Sequence, residues 1–356
     1  MQKRDRSLGR VRVGILYNSP VMPIRGENVD YVADAEVEEE VEAVEEALEK
    51  LDLDYELFPL KDDVESFIEA LKAYSADVVV NLCEAAFGDS HLEMAVAAML
   101  ELLKVPYTGS PPLALGLCQN KGFTKDVLKA RGISTPEYQV LSRVGDWNGR
   151  ISYPLFVKPL SEDGSIGIIR ESYVKDDRAL KKQVQYIIEH YKQSALVEKY
   201  IEGRELNVAI IGDVETRALP ISEIVFVLSD DPKIVDYPAK WLRESEEYKK
   251  TVPACPAKLC PSTRALVEQM ALQAYAALYC RDYARVDIRL NEGISQVLEV
   301  NPNPDLSPDG GFVRSLKAAG ISYEEFIREI LHSALQRSRR QHRVDAPSLG
   351  YGVYER

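Results

Sequence analysis

The chain has 356 residues, of which 46% are hydrophobic and 28% are charged, a composition typical of a soluble globular protein. This length is sufficient for two or three domains rather than one compact core. The 57 acidic residues outnumber the 44 basic ones, and the resulting net charge of −13 argues against a nucleic-acid partner and against an anionic membrane surface. No apolar run approaches the roughly 18 residues of a membrane span, so no membrane association is expected.

The cysteines indicate a reducing compartment. They are odd in number and contain no closely spaced CxxC pair: Cys83, Cys118, Cys255, Cys260 and Cys280. We therefore expect reduced, mostly buried thiols in a cytoplasmic protein. The basic start of the chain has no apolar segment behind it that would make a signal peptide. With only four His and no clustered ligand set, zinc is not expected.

Residues 1–118 predict an open α/β domain with helices on both faces of the sheet. Strand-like apolar runs alternate with amphipathic helical patterns, the strands at 10–18, 54–60 and 77–81 and the helices at 33–51, 64–74 and 92–103. Ligands of such sheets bind beyond the C-terminal ends of the strands. This makes Asn18, Ser19, Asn81 and Glu84 candidates for lining a site, with ordinary polar loop residues as the alternative.

Residues 119–212 predict a smaller α+β unit, which the turn-rich segment 105–112 joins to the first domain through a strand and a crossing. Helices are expected at 121–131 and 177–191, and strands at 138–141, 153–160, 195–200 and 204–211. Lys158 lies near the end of a strand, and the loop Ser161–Gly167 follows it. Small and Gly-rich, this loop can bring backbone N–H groups close to a phosphate, although it does not match the Walker A spacing.

Residues 213–340 predict a third unit, and 341–356 a poorly ordered tail. A strand is expected at 219–226. Several prolines lie between this strand and residue 260, which predicts a long loop over a site. A helix is expected at 262–278, with Ser262 as its N-cap and Leu266, Met270, Ala274 and Leu278 at helical spacing on one face. The last helix is expected at about 323–337.

Between these two helices, residues 285–301 predict a β-hairpin whose turn lies at 291–293. Arg285 and Asp287 share one face, while Glu299 and Asn301 share a face of the return strand, opposite Leu298 and Val300. If Asn291 pairs with Ser295 around a three-residue loop, Asp287 lies directly opposite Glu299. Two such carboxylates repel unless a cation lies between them, and an Asp, Glu and Asn set suits Mg²⁺. The alternative is an exposed polar face on an antiparallel hairpin.

Together, these segments resemble the ATP-grasp ligases, and most closely D-alanine–D-alanine ligase and its relatives. The resemblance covers roughly residues 10–335, and its motifs occur in the family's order. Those motifs are Pro106-Tyr-Thr-Gly-Ser110, Asn120-Lys121 with Thr124-Lys125, Val157-Lys-Pro159, Gly164-Ser-Ile-Gly167, Asp236-Tyr-Pro-Ala-Lys240, Arg285-Val-Asp287, Leu298-Glu-Val-Asn301 and Ala319-Gly-Ile-Ser322. Each motif is weakly specific alone, but the ordered set is strongly specific.

The resemblance implies a three-domain ATP-grasp fold with ATP held between two sheets. By motif match, Lys121 and Lys158 would bind the phosphates, and Gly164, Ser165, Ile166 and Gly167 would close over them. Glu198, Lys199, Tyr200 and Ile201 would line the adenine site, and Glu205 would bind the ribose hydroxyls. Asp287, Glu299 and Asn301 would hold two Mg²⁺, with Mn²⁺ as an alternative. Lys199 and Glu205 as surface residues, and 164–167 as a plain turn, remain open alternatives.

The family chemistry implied is an ATP-dependent carboxylate–amine ligation through an acylphosphate. Lys240 would reach the phosphates, Arg285 would steady the phosphate and the tetrahedral oxyanion, and Ser165 completes the implied catalytic set. No nucleophilic side chain is required, which agrees with the lack of a Ser/His/Asp or Cys/His set. The partners implied are small-molecule carboxylate and amine substrates, and the family also allows a homodimer.

The departures from the family pattern fall on substrate recognition. Where the dipeptide ligases carry a glycine and a carboxylate-binding serine, this chain has Asp305 and Gly310. Trp241 replaces the tyrosine after the loop lysine, and the segment around Glu84 replaces a His- and Gly-rich motif. Glu36 and Glu38 are uncertain counterparts of the glutamate that holds the first amine. We therefore expect a substrate pair other than two D-alanines, with Asp305 and Asp309 favouring a positively charged group, or being simple solvated loop acids.

Three hypotheses follow from the sequence. The first is a ligase joining an amino acid or similar acid to an amine, of which a true D-alanine–D-alanine ligase is a narrower form. The second is a nucleotide-binding module without turnover, and the third is a phosphotransferase that uses the same ATP site. The complete carboxylate and lysine sets favour an enzyme, because a module freed of catalysis does not need both metal carboxylates.

Overall fold

The computed structural model describes residues 11–21, 25–27, 30–31, 37–61, 63–227 and 232–341. Two predictions lie partly outside these ranges: the start of the helix at 33–51 and the tail beyond Gln341. Across the described ranges, no helix has both the length and the apolar character needed to cross a bilayer.

A three-stranded parallel sheet forms the first layer. Its strands are β1 (Arg12–Asn18), β2 (Asp54–Leu60) and β3 (Val78–Asn81), in the order β2-β1-β3, and its helices are α1 (Val37–Lys50), α2 (Val64–Tyr74) and α3 (Glu93–Leu102). Helix α1 packs on one face of the sheet, while α2 and α3 pack on the other. Each helix crossover returns the chain in the same direction, which is why these strands pair in parallel. The prediction of an open α/β arrangement is confirmed.

A four-stranded antiparallel sheet forms the central unit. After α4 (Pro112–Gln119) and α5 (Lys121–Ala130) come β4 (Tyr138–Leu141), β5 (Leu155–Pro159), β6 (Tyr173–Val174), α6 (Asp177–Tyr191) and β7 (Ala195–Lys199). The strand order is β4-β7-β5-β6. Helix α6 buries its apolar stripe against one face of this sheet, and the opposite face is left to form the wall of a cavity.

The third unit is a second antiparallel sheet. It contains β8 (Arg204–Gly212), β9 (Arg217–Ala218), β10 (Ser222–Phe226), β11 (Thr251–Ala254), β12 (Asp282–Asn291) and β13 (Ile294–Asn301). Strands run in the order β11-β10-β8-β12-β13, with β9 paired to β8. The helices here are α7 (Tyr237–Trp241), α8 (Glu246–Lys250), α9 (Pro261–Ala277), α10 (Gly311–Ala319) and α11 (Tyr323–Gln341).

Several expected boundaries are wrong. The strand expected at 204–211 is β8, which pairs with β12 in the second sheet rather than joining the central unit. The span before residue 260 is not one long loop, since it contains α7, α8 and β11. Segment 105–112 forms only a single bridge, from Tyr107 to Val79. Short helices such as α4 and α10 escape prediction because their few turns carry little periodicity.

Helix α9 also differs in detail from its prediction. Cys260 occupies the N-cap position and Pro261 the first turn, so Ser262 lies inside the helix. Proline suits this place because its missing N–H needs no partner there. Ala274 and Leu278 of the expected face are buried, but Leu266 is 60% exposed, and Val267 and Ala271 take the core positions in the first half of the helix.

The cysteines are all free, as expected, but only Cys83 and Cys118 are buried. Cys255 and Cys280 are half-buried, and Cys260 is exposed at the start of α9. The expectation of mostly buried thiols is therefore wrong.

The N-terminal sheet and the second antiparallel sheet share one hydrophobic core. Val13 and Val80 from the N-terminal sheet pack in the same cluster as Tyr283 of β12, Phe312 of α10 and Phe326 of α11. The C-terminal helix thus covers the N-terminal sheet, a contact between residues about 300 positions apart that no local pattern can reveal.

Arg337 on α11 ties these two units together electrostatically. Its guanidinium donates to both carboxylate oxygens of Asp282 at 2.8 and 2.9 Å, to Asp213 at 3.1 Å and to the carbonyl of Tyr107 at 2.9 Å. The Asp282 side chain is fully buried, and it also accepts from the N–H of Gly109 at 2.9 Å. Removing the arginine would leave a buried carboxylate without its counter-charge.

We expect Arg337→Met to lower the free energy of unfolding by about 3–5 kcal/mol, because Asp282 would lose its cation in a buried position. The matched control is Arg340→Met on the exposed side of the same helix, expected within about 0.5 kcal/mol of the parent. Urea unfolding followed by circular dichroism measures both. A similar, small effect of the two substitutions would contradict this role.

Candidate active site

A cavity of about 600 Å³ opens between the central sheet and the second sheet. Strands β5 and β7 form one wall and β8, β12 and β13 the other, while loops at 162–165, 234–243 and 305–311 complete it. Most of the predicted site residues line it: Lys121, Lys158, Gly164, Ser165, Glu198, Lys199, Tyr200, Ile201, Glu205, Lys240, Trp241, Arg285, Asp287, Glu299, Asn301, Asp305 and Gly310. Segments far apart in sequence thus meet in one place.

The hairpin β12–β13 reaches the expected carboxylate pairing by an unexpected register. Asn291 pairs with Ile294, so the loop has two residues, not three. The two loop residues, Glu292 and Gly293, have positive φ (47° and 85°), as a tight hairpin turn requires. A register shift between Asp287 and Ile288 then restores the pairing of Asp287 with Glu299.

This shift acts as a β-bulge that places Leu298 as an extra residue in the return strand. Val297 takes the core position opposite Ile288, while Leu298 lines the cavity, so the prediction that Leu298 faces the core is wrong. The carbonyl of Leu298 accepts a hydrogen bond from Lys125 Nζ at 3.2 Å. The bulge therefore turns the polar ends of β13 into the cavity.

Asp287 and Glu299 are each held by protein cations. Asp287 accepts from Arg285 Nε and Nη2 at 2.8 and 2.9 Å, and from the amides of Asn207 and Asn301 at 2.7 and 3.1 Å. Glu299 accepts from Lys158 Nζ at 3.2 Å. Burial opposes ionisation of Glu299, but the positive charges of Lys158 and its neighbours outweigh it and lower the pKa of this carboxyl to about 2. Glu299 is therefore charged at neutral pH.

A buried network of lysines and Glu198 supports this pair. Glu198 Oε1 lies 3.4 Å from Lys158 Nζ, and its Oε2 lies 2.7 Å from Lys125 Nζ. Lys125, fully buried, also donates to Thr135 Oγ1 at 2.9 Å. Although burial disfavours the charged form of Glu198, the two lysines outweigh it and lower its pKa. Glu198 thus holds Lys158 at the cavity wall, and it lines the cavity itself.

Lys121 holds the Gly-rich loop. It follows Asn120, whose side chain caps α5 by accepting from the N–H of Phe123. Lys121 Nζ donates to Asp163 Oδ1 at 2.7 Å and to the carbonyl of Glu162. Gly164 and Ser165 both adopt positive φ of 62°, so the loop is tightly turned beside the lysine.

Only part of that loop faces the cavity. Gly164 and Ser165 line it, whereas Ile166 packs against the hydrophobic core of the central sheet. A Cβ built on Gly167 would lie 2.5 Å from Pro159 Cγ, so glycine is needed there for close packing. Ile166 and Gly167 therefore shape the loop rather than lining the site.

Trp241 and Lys240 close the loop from the opposite side. Trp241 Nε1 donates to the carbonyl of Gly164 at 2.7 Å, and Ser165 Oγ donates to the carbonyl of Val235 at 2.8 Å. Lys240 Nζ lies 4.4 Å from the centroid of the Trp241 ring, a cation–π contact. The segment 235–241 and the Gly-rich loop thus form one lid.

At one end of the cavity, Glu205 pairs with Arg289 at 2.7 Å, and Arg289 packs near the ring of Tyr200. Tyr200 and Ile201 present apolar surface there, while Lys199 Nζ is bound to the carbonyls of Ser152 and Tyr153 at 2.9 and 3.0 Å. Because those contacts fix its ammonium group outside the sheet, Lys199 contributes mainly its backbone and stem.

The opposite end carries the residues of expected substrate recognition, but not all of them. Asp305, Asp309 and Gly310 line it. Glu84 is exposed and does not, because its loop is tied back by the Asn18 side chain, which accepts from the Glu84 N–H at 3.1 Å. Asn18, Ser19 and Asn81 were expected to line a site, but none of them lines this cavity.

Of the two glutamates considered for the first amine, only Glu38 lies in the described part of the chain. Glu36 lies outside the described residues, and Glu38 is exposed away from the cavity. Their neighbour Glu39 lines the cavity, and Glu40 is buried, accepting from the N–H of Leu306 at 3.1 Å. Helix α1 thus supports the loop after β13.

Three residues that line or support the cavity were not among the predicted site residues. Lys125 lies one helical turn after Lys121, and Arg289 lies two residues after Asp287 on the same strand face, so spacing alone could have indicated both. Glu162 lines the cavity, and its Oε1 accepts from Gln193 Nε2 at 2.7 Å. Burial, the largest effect, raises the pKa of Glu162 to about 7. No local pattern marks that residue.

The donor set of the hairpin fits a hard cation. Among the described residues, no three Asp, Glu, His or Cys side chains converge, so the third oxygen donor would be the amide of Asn301. Carboxylate and amide oxygens are the ligands that Mg²⁺ takes, usually together with substrate phosphates.

Comparisons with known proteins agree with this geometry. Residues 127–332 match the family described as D-ala D-ala ligase C-terminus. The chain is 36% identical over 266 residues to an uncharacterized protein, y4sG, of Sinorhizobium fredii, covering 74% of this chain and 76% of that protein. It is 34% identical to a D-alanine–D-alanine ligase of Thermotoga petrophila, covering 82% and 90% of the two chains.

A solved structure shows the same fold. The D-alanine–D-alanine ligase of Bacillus anthracis, complexed with ATP, superposes with a TM-score of 0.71 at 26% identity. The match covers 93% of this chain and 99% of that one. The three-unit arrangement is therefore the ATP-grasp fold of these ligases.

The raised pKa of Glu162 predicts a pH dependence of stability. Because the folded state holds this proton more tightly than the unfolded state, stability should fall as pH rises from about 5 to about 7. The contribution is at most about 1.4 kcal/mol per pH unit in that window. Glu162→Gln should flatten this slope in urea unfolding at a series of pH values. The exposed Glu137→Gln is the control, and equal slopes for both variants would contradict the prediction.

Proposed function

This chain belongs to the D-alanine–D-alanine ligase family, and we propose that it is an ATP-dependent ligase that joins a carboxylate to an amine. The observation that carries the proposal is the facing pair Asp287 and Glu299, with Asn301 beside them, across one cavity from Lys121 and Lys158. The side chains proposed as metal ligands thus face the lysines proposed to bind phosphate, an arrangement that supports phosphoryl transfer from a nucleotide.

In this proposal the nucleotide is ATP, and its polyphosphate lies between Lys121, Lys158 and the loop at Gly164. Its base lies at the end formed by Tyr200 and Ile201, with Glu205 near the ribose. Asp287, Glu299 and Asn301 would hold two Mg²⁺, for which Mn²⁺ is the substitute. The ions would neutralise the charge that develops on the transferred phosphoryl group.

The reaction proposed has two steps. A substrate carboxylate oxygen attacks the γ-phosphorus of ATP, and ADP leaves, which produces an acylphosphate. The nitrogen of the second substrate then attacks the acyl carbon, phosphate leaves and a proton is released. Arg285 would steady the transferred phosphate and the tetrahedral oxyanion, and Lys240 and Ser165 would hold the lid over them. The side chains position and stabilise charge, and none acts as a nucleophile.

We further propose that the substrate pair differs from two D-alanines. Asp305 and Gly310 support this, because the substrate end of the cavity carries an acidic side chain and no hydroxyl at these positions. A true D-alanine–D-alanine ligase and a nucleotide-binding module without turnover remain the competing readings. A homodimer belongs to the same proposal and is tested by light scattering after size-exclusion chromatography.

The proposal is tested by incubating the protein with ATP, Mg²⁺ and a panel of D- and L-amino acids, singly and in pairs. Release of ADP and phosphate that needs two substrates, with a product mass equal to their sum minus water, supports ligation. A phosphorylated single substrate would indicate a phosphotransferase instead. No turnover with any combination would indicate a binding module.

Glu299→Gln should reduce substrate-dependent ADP release about 100-fold or more, because the amide removes one charge from the metal site and frees Lys158 from its partner. It should also raise the Mg²⁺ concentration needed for half-maximal rate. The control is Glu292→Gln, an exposed residue at the turn of the same hairpin, for which no more than a twofold change is expected. Unchanged Mg²⁺ dependence in Glu299→Gln would refute this metal site.

A further inference from the structure

The two ends of the cavity differ in charge, and the difference bears on the second substrate of the ligase proposed above. Three lysines, Lys121, Lys158 and Lys240, line the part that would hold the nucleotide phosphates. Past Asn301, the lining continues with Asp305, Asp309 and the start of α10. In the proposed function the other end, around Tyr200 and Ile201, holds the nucleotide base, so the amine substrate approaches from the end of Asp305 and Asp309.

Asp305 lies packed against the N-terminus of α10. A Cβ built on Gly310, the N-cap residue, would lie 2.7 Å from Asp305 Oδ2 and 2.9 Å from its Oδ1 and Cγ. Asp305 Oδ1 also accepts from the N–H of Ser307 at 2.7 Å. The carboxylate thus occupies the space that any larger residue at 310 would need, and it places a negative charge where a helix N-terminus attracts anions.

The positive groups at this end are already engaged. Arg285 is paired with Asp287 through two hydrogen bonds, and in the proposed reaction it faces the phosphate and the oxyanion. Arg314 donates to the carbonyl of Asp309 at 2.8 Å. Arg243, which also lines the cavity, lies 4.0 Å from Glu39. Each of these guanidinium groups thus has a protein partner with which a second substrate carboxylate would have to compete.

From this geometry we infer that the amine substrate carries no carboxylate next to its reacting nitrogen, and that Asp305 with Gly310 sets this preference. The acceptor is an amine whose neighbouring group is neutral or cationic, such as a carboxamide, an ester or a second ammonium group. This rests on the proposed ligase activity and names the chemical class of its second substrate.

Electrostatics decides the preference. Two carboxylates about 4 Å apart at the effective dielectric of a protein site repel by an amount equal to roughly a 1000-fold loss of affinity. A helix N-terminus favours an anion by only about fivefold, and Asp305 already lies against this one. A substrate carboxylate brought to the same place would therefore be rejected, whereas an ammonium group would be attracted.

The test uses matched acceptors. Wild-type protein, ATP and Mg²⁺ are combined with the donor panel and with pairs of acceptors that differ only at one group: alanine and alaninamide, serine and serinamide, lysine and lysinamide, in both enantiomers. The carboxamide of a pair is expected to have a kcat/KM at least tenfold higher than its acid. Ligation that favours the acids, or that does not distinguish the two, would overturn the inference while leaving the ligase proposal standing.

Asp305→Asn separates charge from shape, because the amide keeps the packing against Gly310 and can still accept from Ser307. We expect it to raise kcat/KM for the acids at least tenfold and to leave the amides within about threefold. The control is Asp54→Asn, an exposed residue at the start of β2 outside the cavity lining, which should shift the acid-to-amide ratio by less than threefold. Equal shifts in both variants would overturn the assignment to Asp305.

A second comparison does not depend on turnover. Gly310→Ser should destabilise the protein that retains Asp305 but be nearly neutral in the Asp305→Gly background. Thermal unfolding of the parent, the two single variants and the double variant measures this. Additive effects would contradict the close contact on which the inference depends. If no acceptor of any kind supports two-substrate turnover, the ligase proposal itself fails, and this inference fails with it.

Discussion

The site depends on a chain of buried charges that runs from Lys125 through Glu198 and Lys158 to Glu299. This chain links the central sheet to the second sheet across the cavity. Each charge is costly to bury alone, and each is compensated by its neighbour, so the two walls are held in one relative position. The same arrangement keeps Glu299 ionised and Lys158 directed into the cavity, where a metal ion and a phosphate would need them.

The hairpin serves the same end by geometry rather than charge. A two-residue turn alone would put Asp287 out of register with Glu299, and the bulge at Leu298 restores the pairing. It also exposes a carbonyl that Lys125 binds. The bulge therefore joins the strands proposed to bind metal to the buried charges, and both depend on residues of the central unit that precede them by more than a hundred positions.

At the substrate end of the cavity, the constraint is steric. Asp305 lies so close to Gly310 that a Cβ at position 310 would require the Asp305 carboxylate to move. Lys121, Lys158 and Lys240 line the end proposed for the nucleotide, whereas Asp305 and Gly310, in the loop after β13 and at the N-terminus of α10, line the other end. Since α1 supports this loop through Glu40, and α1 belongs to the N-terminal sheet, substrate recognition draws on both ends of the chain.

Local periodicity by itself determined most strands and the longer helices. Alternation along β12 and β13 grouped Asp287, Glu299 and Asn301 as a candidate metal site, although by way of a three-residue loop that the structure does not have. Those features depend on neighbours in sequence, where spacing dictates which face a side chain takes. Only the tertiary structure decided the hairpin register, the inclusion of β8 in the second sheet, the role of Lys125 and the raised pKa of Glu162. The tertiary structure also places Glu84 outside the cavity lining and Asp305 close to Gly310. Burial, strand partners and close packing are set by residues distant in sequence, and no local pattern encodes them.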